Sequence, residues 1–178
     1  FWRKYGPAVS LWIQRNTRNR TLRSLADKLH FFVLRQALVL VVRSDRTWPH
    51  AQIINYPRDP GPFKYLFSMW AFPERNYFKI LDEYCDFVAA YDAKTGFRCD
   101  LPCVGYSIVQ DREALLSYSW DGATLSIDPA STGGKDWEEF LRGYNGFCSS
   151  HGGEPLFNQT PFLTREQAQK AFGGRLKL

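Results

Sequence analysis

The chain has 178 residues, of which 44% are apolar and 16% aromatic; this composition is typical of a globular domain with a sizeable core and not of a disordered chain. The formal charge of +5 is uneven, because residues 1–46 carry ten Lys or Arg and two Asp, a net +8, and the remainder carries −3. The longest apolar run, Ala37–Val42, is far too short to cross a bilayer, so no membrane span is predicted.

The basic front of the chain has two interpretations. Clustered Lys and Arg can indicate binding to nucleic acid or to an acidic partner, or they can form a solvated helix face or a surface that docks onto another domain. We favour the second, because Leu22, Leu25 and Leu29 recur at helical spacing among the charges. We therefore predict a basic helical segment over residues 1–46, followed by the main domain over residues 47–178.

The four cysteines, Cys85, Cys99, Cys103 and Cys148, contain no CxxC pair. No His lies close in sequence to Cys99 or Cys103, so no metal site is predicted. Disulfides stay open as an alternative to free thiols in a reducing cytosol; a cytoplasmic location is slightly favoured, but none is assigned. Because the chain starts at Phe1 without an initiator Met, we expect it to be part of a larger protein.

From residue 63 onward the pattern predicts the element order β-α-β-β-β-α-β-α. Pro102 within the second strand predicts an edge position or a bulge. Asp121-Gly122 predicts a two-residue hairpin between the third and fourth strands. The predicted strands are Phe63–Ala71, Phe97–Gln110, Ala114–Trp120, Ala123–Asp128 and Glu154–Phe157, with Pro129–Gly134 as a loop.

Three helices are predicted between and after these strands. An apolar stripe from Tyr77 to Tyr91 marks the first, Asp136 is expected to cap the second, and Thr164 with Gln167 predicts a capping box for the last helix, Arg165–Phe172. This order predicts an α+β fold: a ferredoxin-like antiparallel sheet with helices on one face, preceded by the basic helical segment. The other sheet face would then meet solvent, a ligand or another domain.

Five local patterns occur in a fixed order between residues 63 and 175. The patterns are Met69–Pro73, Gly96–Arg98, Asp111 followed by Leu116-Ser117, Ser126–Pro129 and Gly152–Asn158. In this order they resemble the substrate-binding (cap) domain of flavin oxidases of the vanillyl-alcohol-oxidase type, among them aldonolactone, alditol and flavin-type cholesterol oxidases.

The resemblance implies the substrate-binding part of an FAD-dependent oxidoreductase. In such enzymes a separate N-terminal module binds FAD, so this chain alone is expected to bind none and to be inactive by itself. The cap sheet lies over the flavin ring, a hydride passes from a C–H or alcohol-type substrate to the flavin, and O₂ reoxidises it.

The sequence departs from the family pattern at two places. The Glu-x-Arg pair that polyol and lactone oxidases carry on the long strand is replaced by Val104-Gly105-Tyr106, and their His-Trp-Gly-Lys is replaced by Leu156–Gln159. Both changes remove charge from the expected site. An apolar or aromatic small-molecule substrate is therefore expected.

The family placement gives five candidate site residues. Tyr106 is the catalytic candidate, as a hydrogen-bond donor or base, with a core Tyr as the alternative. Arg98 would bind an anion or face the FAD module, unless it pairs with an acid. Ser117 would face substrate or flavin, and it is not expected to be a nucleophile because no His–Asp partner set is visible. Asn158 and Gln159 would bond a flavin carbonyl or the substrate, unless they only form a turn.

The alternative function is a ferredoxin-like nucleic-acid- or protein-binding module without catalysis. An RNA-binding sheet needs exposed aromatic and basic side chains on its open face. The strand beginning at Phe97 lacks that alternation, so no nucleic-acid partner is expected.

Overall fold

The structure, a computed structural model, describes residues 66–99 and 101–176. Before them it describes residues 12, 16, 19, 21–26, 28, 29, 32, 33 and 36. The chain divides into two compact units, Phe1–Pro60 and Gly61–Leu178.

The first unit contains helical residues at 21–26, 28 and 29. The side-chain oxygen of Asn19 accepts hydrogen bonds from the backbone N–H groups of Thr21 and Leu22, at 2.9 and 3.4 Å, as expected at a helix N-terminus. The helical positions of Leu22, Leu25 and Leu29 are confirmed, and all three side chains are exposed. Residues 1–11 and 37–46 of the predicted basic segment lie outside the described residues.

The described residues of the second unit form six strands and three helices. Two 3-10 turns, Glu74–Asn76 and Gly173–Arg175, precede the first helix and follow the last. The strands are β1 (Leu66–Phe67), β2 (Trp70–Pro73), β3 (Leu101–Val104), β4 (Ser107–Ile108), β5 (Thr124–Ser131) and β6 (Glu154–Pro155); the helices are α1 (Tyr77–Thr95), α2 (Lys135–Ser150) and α3 (Arg165–Phe172).

Strand β5 is the centre of one antiparallel sheet. It pairs with β1 and β2 along one edge and with β3 and β4 along the other, and β6 pairs with the far side of β2. The predicted α+β class is confirmed by this sheet and its helices. The more specific ferredoxin-like topology stays a prediction.

The two sheet faces differ because directly opposed residues of antiparallel strands share a face. Trp70 opposes Ile127, and both side chains enter a core shared with α1 and α2. Inside this core the indole N–H of Trp70 donates to the side-chain oxygen of Asn145 at 3.0 Å. The buried core members are Trp70, Phe72, Ile80, Tyr84, Ile127, Trp137, Phe140, Leu141, Tyr144 and Cys148.

The predicted strand Ala114–Trp120 is wrong, because these residues form turns. Side chains take the backbone N–H groups that a strand would need: Asp111 Oδ1 accepts from Glu113 N at 2.8 Å, and Ser117 Oγ accepts from Ser119 N at 3.2 Å. Asp121-Gly122 therefore ends a turn and not a hairpin. Strand β5 pairs instead with Ser107–Ile108, which lies earlier in the chain.

The other strand boundaries also shift. The predicted strand Phe97–Gln110 is divided into β3 and β4, and the register shift between Leu101 and Val104 confirms the irregularity predicted from Pro102. Strand β5 continues through the predicted loop as far as Ser131. Pro129 is tolerated there because its carbonyl, and with it the nitrogen that lacks a hydrogen, lies on the side of Ser68, in the gap between β1 and β2; the carbonyl accepts from Ser68 N at 3.3 Å.

Of the two helix caps predicted from the sequence, one is confirmed and one is wrong. Helix α3 spans Arg165–Phe172 as predicted, with both bonds of the Thr164–Gln167 capping box formed. Helix α1 ends at Gly96, whose φ of +74° is left-handed. The predicted Asp136 cap is wrong: Gly134 is the N-cap of α2, and Asp136 lies in its first turn, where its charge favours the helix dipole.

Candidate functional site

A row of polar side chains lies on the sheet face away from the core. Thr124, Ser126 and Asp128 alternate along β5 with core-facing residues, and Ala71 of β2 lies directly opposite Ser126. All three polar residues are buried, Asp128 with only 1% of its surface exposed. Polar groups buried in this way are normally hydrogen-bonded, so each one needs a partner or an explanation.

Ser126 connects Tyr106 to Asp128 through a directed series of hydrogen bonds. The Tyr106 N–H donates to Ser126 Oγ at 2.9 Å, and the Ser126 hydroxyl donates to Asp128 Oδ2 at 3.0 Å. Ser126 N in turn donates to the Tyr106 carbonyl at 2.9 Å. Because Val104 opposes Asp128 and Ser107 opposes Leu125, Tyr106 lies opposite Ser126 on this same face, with its side chain 55% exposed.

Gly105 allows the chain between β3 and β4 to pass close to Ser126. A Cβ atom on Gly105 would lie 2.8 Å from the Ser126 carbonyl oxygen and 3.4 Å from the Tyr77 hydroxyl. That hydroxyl donates to the same carbonyl at 3.2 Å. The glycine thus lets the β3–β4 backbone and helix α1 both approach Ser126, which is a physical reason for Gly between Val104 and Tyr106.

The carboxyl group of Asp128 is buried on this face with incomplete hydrogen bonding. Its Oδ1 atom is buried and has no hydrogen-bond partner among the described residues. Burial raises its pKa from 3.8 to about 7, against the lowering effect of the Ser126 hydrogen bond. The carboxyl group can therefore gain or lose a proton near neutral pH, a property that is enriched at functional sites.

A cavity of about 490 Å³ opens on the same face. Ala71 and Thr124 of the sheet line it, together with Glu154 of β6 and with Trp120 and Asp121 of the turn region before β5. Thr124 is 7% exposed, and its hydroxyl oxygen is buried without a hydrogen-bond partner in the described part of the chain. The small side chain of Ala71 leaves space at the centre of the sheet face.

Arg175 holds this turn region against the sheet. Its guanidinium donates to the Ser117 carbonyl at 2.9 Å, lies 3.3 Å from Glu154 and stacks 4.9 Å from the Trp120 ring. The pKa of Glu154 is raised, chiefly by burial and partly by the nearby charge of Asp121, although Arg175 acts to lower it. The cavity wall is thus built from residues far apart in sequence.

The candidate residues from the sequence occupy separate places. Arg98 follows α1 and forms an ion pair with Asp92 at 3.4 Å. Ser117 is buried, with its Oγ 3.2 Å from Ser119 Oγ, in the turn region that Arg175 holds. Tyr106 alone of the five lies beside the buried polar row on the β3–β4 edge.

Asn158 and Gln159 lie at the other edge of the sheet. Both are exposed in the turn after β6, and Gln159 N donates to the Leu156 carbonyl at 2.8 Å. Between Tyr106 and β6 lie strands β5 and β2, which corresponds to roughly 14 Å across the sheet. The sheet therefore does not bring these amides to Tyr106.

Sequence reasoning did not identify the polar row or the ion pair. The alternation of Thr124, Ser126 and Asp128 with apolar residues was a visible signal for one polar strand face. Glu154 and Arg175 gave no comparable signal, because the ion pair joins residues 21 positions apart through an unpredicted approach of the chain end.

A larger groove of about 690 Å³ lies beside α3. Its lining is mainly apolar, with Phe157, Phe162, Leu163 and Ala168 among its residues. The hydroxyls of Thr160 and Thr164 in its wall are both hydrogen-bonded. The smaller cavity is the better candidate for chemistry, because ionisable groups and an unpartnered hydroxyl converge there.

Among the described residues no three His, Cys, Asp or Glu side chains are grouped so that they could hold a metal ion. No helix within the described ranges is long and apolar enough to cross a membrane. The four cysteines lie within the described ranges, and no disulfide joins them.

No protein-family model matches the sequence, and no curated protein is significantly similar to it.

Proposed function

We propose that this chain is the substrate-binding part of an FAD-dependent oxidoreductase that oxidises a C–H or alcohol-type substrate with O₂ as acceptor. The proposal rests on the resemblance of the five ordered sequence patterns to flavin-oxidase cap domains. The structural observation that supports it best is the buried polar row on the sheet face away from the helices. Tyr106 is exposed beside that row, and the Glu154 cavity opens on the same face.

The sheet face is the surface that would cover the flavin. Flavin, held by a separate module, supplies the acceptor for a hydride from the substrate carbon. This chain supplies a rigid surface from which alternate side chains project toward that carbon.

Tyr106 is the group we assign to contact with substrate. Its phenol is exposed on the proposed face, so it can donate a hydrogen bond to a substrate oxygen. Ser126 and Asp128 are positioning residues. The Ser126 hydroxyl accepts from the Tyr106 backbone N–H, and Asp128 in turn accepts from that hydroxyl. An apolar or aromatic substrate fits a site in which the charged pair of the polyol oxidases is absent.

The test is to co-express the chain with the FAD-binding module of the same gene. We expect a yellow complex in which the flavin is reduced by substrate and reoxidised by O₂, whereas the chain alone should retain no FAD. The measurement is the visible absorption of bound flavin after gel filtration, with and without candidate alcohols. A colourless complex would contradict the proposal.

The alternative module without catalysis has a distinct signature. A nucleic-acid-binding surface would need positive charge, whereas the described lining of the cavity on this sheet face includes Glu74, Asp121 and Glu154. A stable complex with the module that binds flavin but leaves it oxidised with every substrate would favour a non-catalytic binding domain.

A further inference from the structure

We propose that two copies of the chain pair through the open edge of strand β4, antiparallel and about a two-fold axis at Ser107, so that one sheet continues across both copies. Three features of this edge support the pairing: backbone groups that face outward, the lack of charged residues, and a register in which the edge is complementary to itself. The pairing does not depend on the proposed function.

The backbone groups of Ser107 point away from the rest of the sheet. In an antiparallel ladder, residues that exchange bonds with the neighbouring strand alternate with residues whose N–H and C=O groups face outward. Ser126 N donates to the Tyr106 carbonyl at 2.9 Å, so Tyr106 is a bonded residue. The N–H and C=O groups of the next residue, Ser107, therefore face outward, and by the same alternation so do those of Gly105 and Val109.

This edge is both uncovered and uncharged. Within the described part of the chain β4 pairs with β5 alone, and Gly105, Ser107 and Val109 are exposed, Val109 with 80% of its surface. Proteins normally protect an open edge with charged side chains or proline. Residues 101–110 contain no Asp, Glu, Lys or Arg, and Pro102 lies outside the three outward-facing residues. A neutral edge does not repel a second copy of itself.

One register uses all the outward-facing residues of both copies. With Ser107 opposite the partner's Ser107, Gly105 lies opposite the partner's Val109, and Val109 lies opposite the partner's Gly105. Each of these pairs can exchange two hydrogen bonds. A shift by two residues in either direction leaves one outward-facing residue of each copy without an opposite in this set. The edge thus presents the same patch to itself, as a two-fold interface requires.

The same register brings complementary side chains together. Tyr106 lies opposite the partner's Ile108, at a position where the two backbones exchange no bonds, and the Cβ atoms of such a pair are roughly 4.5–5.5 Å apart. Aromatic and β-branched side chains form a favourable cross-strand pair. Tyr106 is 55% exposed and Ile108 is partly exposed, so both have surface to bury. Under the proposed function, the partner's Ile108 adds an apolar wall beside Tyr106.

Sedimentation equilibrium of the full chain at low salt measures the pairing. We expect reversible dimers with a dissociation constant on the order of 10–100 µM, because so short an interface belongs to the weak class. Ser107→Lys and Ser107→Glu place like charges directly opposite each other, so each variant alone should dimerise about five- to tenfold more weakly. An equimolar mixture of the two should regain dimers at least as stable as those of the wild-type protein, because the opposed charges then attract.

Ser107→Gln is the matched control, because it lengthens the side chain at the same position without adding charge and should leave the dissociation constant within about twofold of the wild-type value. Since Ser107 is exposed, urea denaturation should show all three variants folded. A chain that stays monomeric, a dimer that Ser107→Lys and Ser107→Glu leave unchanged, or a mixture no stronger than the separate variants would overturn the inference. Self-association is measured without flavin or its module, so its failure is distinguishable from failure of the proposed function.

Discussion

The guanidinium of Arg175 lies 3.3 Å from the carboxylate of Glu154. The same side chain donates to the Ser117 carbonyl at 2.9 Å. Arg175 thereby joins three separate regions, namely the chain after α3, the edge strand β6 and the turn region that walls the cavity. Arg175 thus holds the turn region against the edge strand.

We expect Arg175→Ala to lower the free energy of unfolding by about 1–3 kcal/mol, because it leaves the half-buried Glu154 and the Ser117 carbonyl without their partner. Urea denaturation measures the loss, with Lys170→Ala, an exposed cation on α3, as the control. A loss in Lys170→Ala as large as in Arg175→Ala would show that Arg175 does not have this role.

Gly105 and Gly146 form a pair that tests the close approach at Ser126. Gly105→Ala should destabilise the protein by about 1–3 kcal/mol, because its Cβ would lie 2.8 Å from the Ser126 carbonyl oxygen. Gly146→Ala in the interior of α2 has nothing within 4 Å of the new Cβ and should stabilise by about 0.5–1 kcal/mol. The measurement is thermal and urea unfolding of both variants; the same sign for both would contradict the assignment.

Asp128 should make the protein less stable as the pH rises, which is the opposite of the usual effect of a carboxyl group. Its folded-state pKa, about 7, is above the ordinary 3.8, so the folded protein binds the proton more tightly than the unfolded chain. The stability from this group is therefore full below pH 4 and is lost as the pH rises through 7. Between pH 5 and 8 the loss should be roughly 2–3 kcal/mol.

Asp128→Asn removes this titration and retains an oxygen that can accept from Ser126. Urea denaturation at pH 5 and pH 8 should therefore show the variant gaining on the wild-type protein as the pH rises. Asp82→Asn, an exposed acid on α1, serves as the control. If Asp128→Asn and the wild-type protein keep a constant difference across this range, Asp128 does not carry the effect.

Tyr106→Phe separates function from stability. The Tyr106 side chain is 55% exposed, so loss of its hydroxyl should change the free energy of unfolding by less than about 0.5 kcal/mol. In the reconstituted flavin complex, the rate of flavin reduction by substrate should fall by about 10²-fold or more. Stopped-flow absorbance measures that rate, and Tyr91→Phe, on α1 against the core, is the control; an unchanged rate in Tyr106→Phe would remove Tyr106 from the site.

Local signals in the sequence predicted the helices well and the strands less well. The Thr164–Gln167 capping box is complete within four residues, so its bonds could be read directly from the sequence. The segment Ala114–Trp120 has strand-like composition, but Asp111 and Ser117 redirect its backbone through short-range hydrogen bonds. Composition alone does not show whether strand propensity or these side-chain hydrogen bonds determine the backbone conformation.

The candidate site was predictable only in part, for a related reason. Tyr106 was predicted because it lies in Val104-Gly105-Tyr106, the segment that replaces the Glu-x-Arg pair of polyol and lactone oxidases. Its connection to Asp128 crosses from one strand to the next and depends on the register of β4 against β5. The Glu154–Arg175 pair depends on where the chain returns after α3, which no local spacing specifies.

The directed hydrogen bonds through Ser126 have a further consequence for measurement. Because the Tyr106 amide donates to Ser126 Oγ and the Ser126 hydroxyl donates to Asp128, protonation of the carboxyl changes the polarisation of that amide. The Tyr106 backbone N–H is thus a spectroscopic reporter of the buried proton. By linkage, a ligand that draws on the Tyr106 backbone must alter the proton affinity of Asp128 by the same free energy with which protonation alters the ligand's affinity.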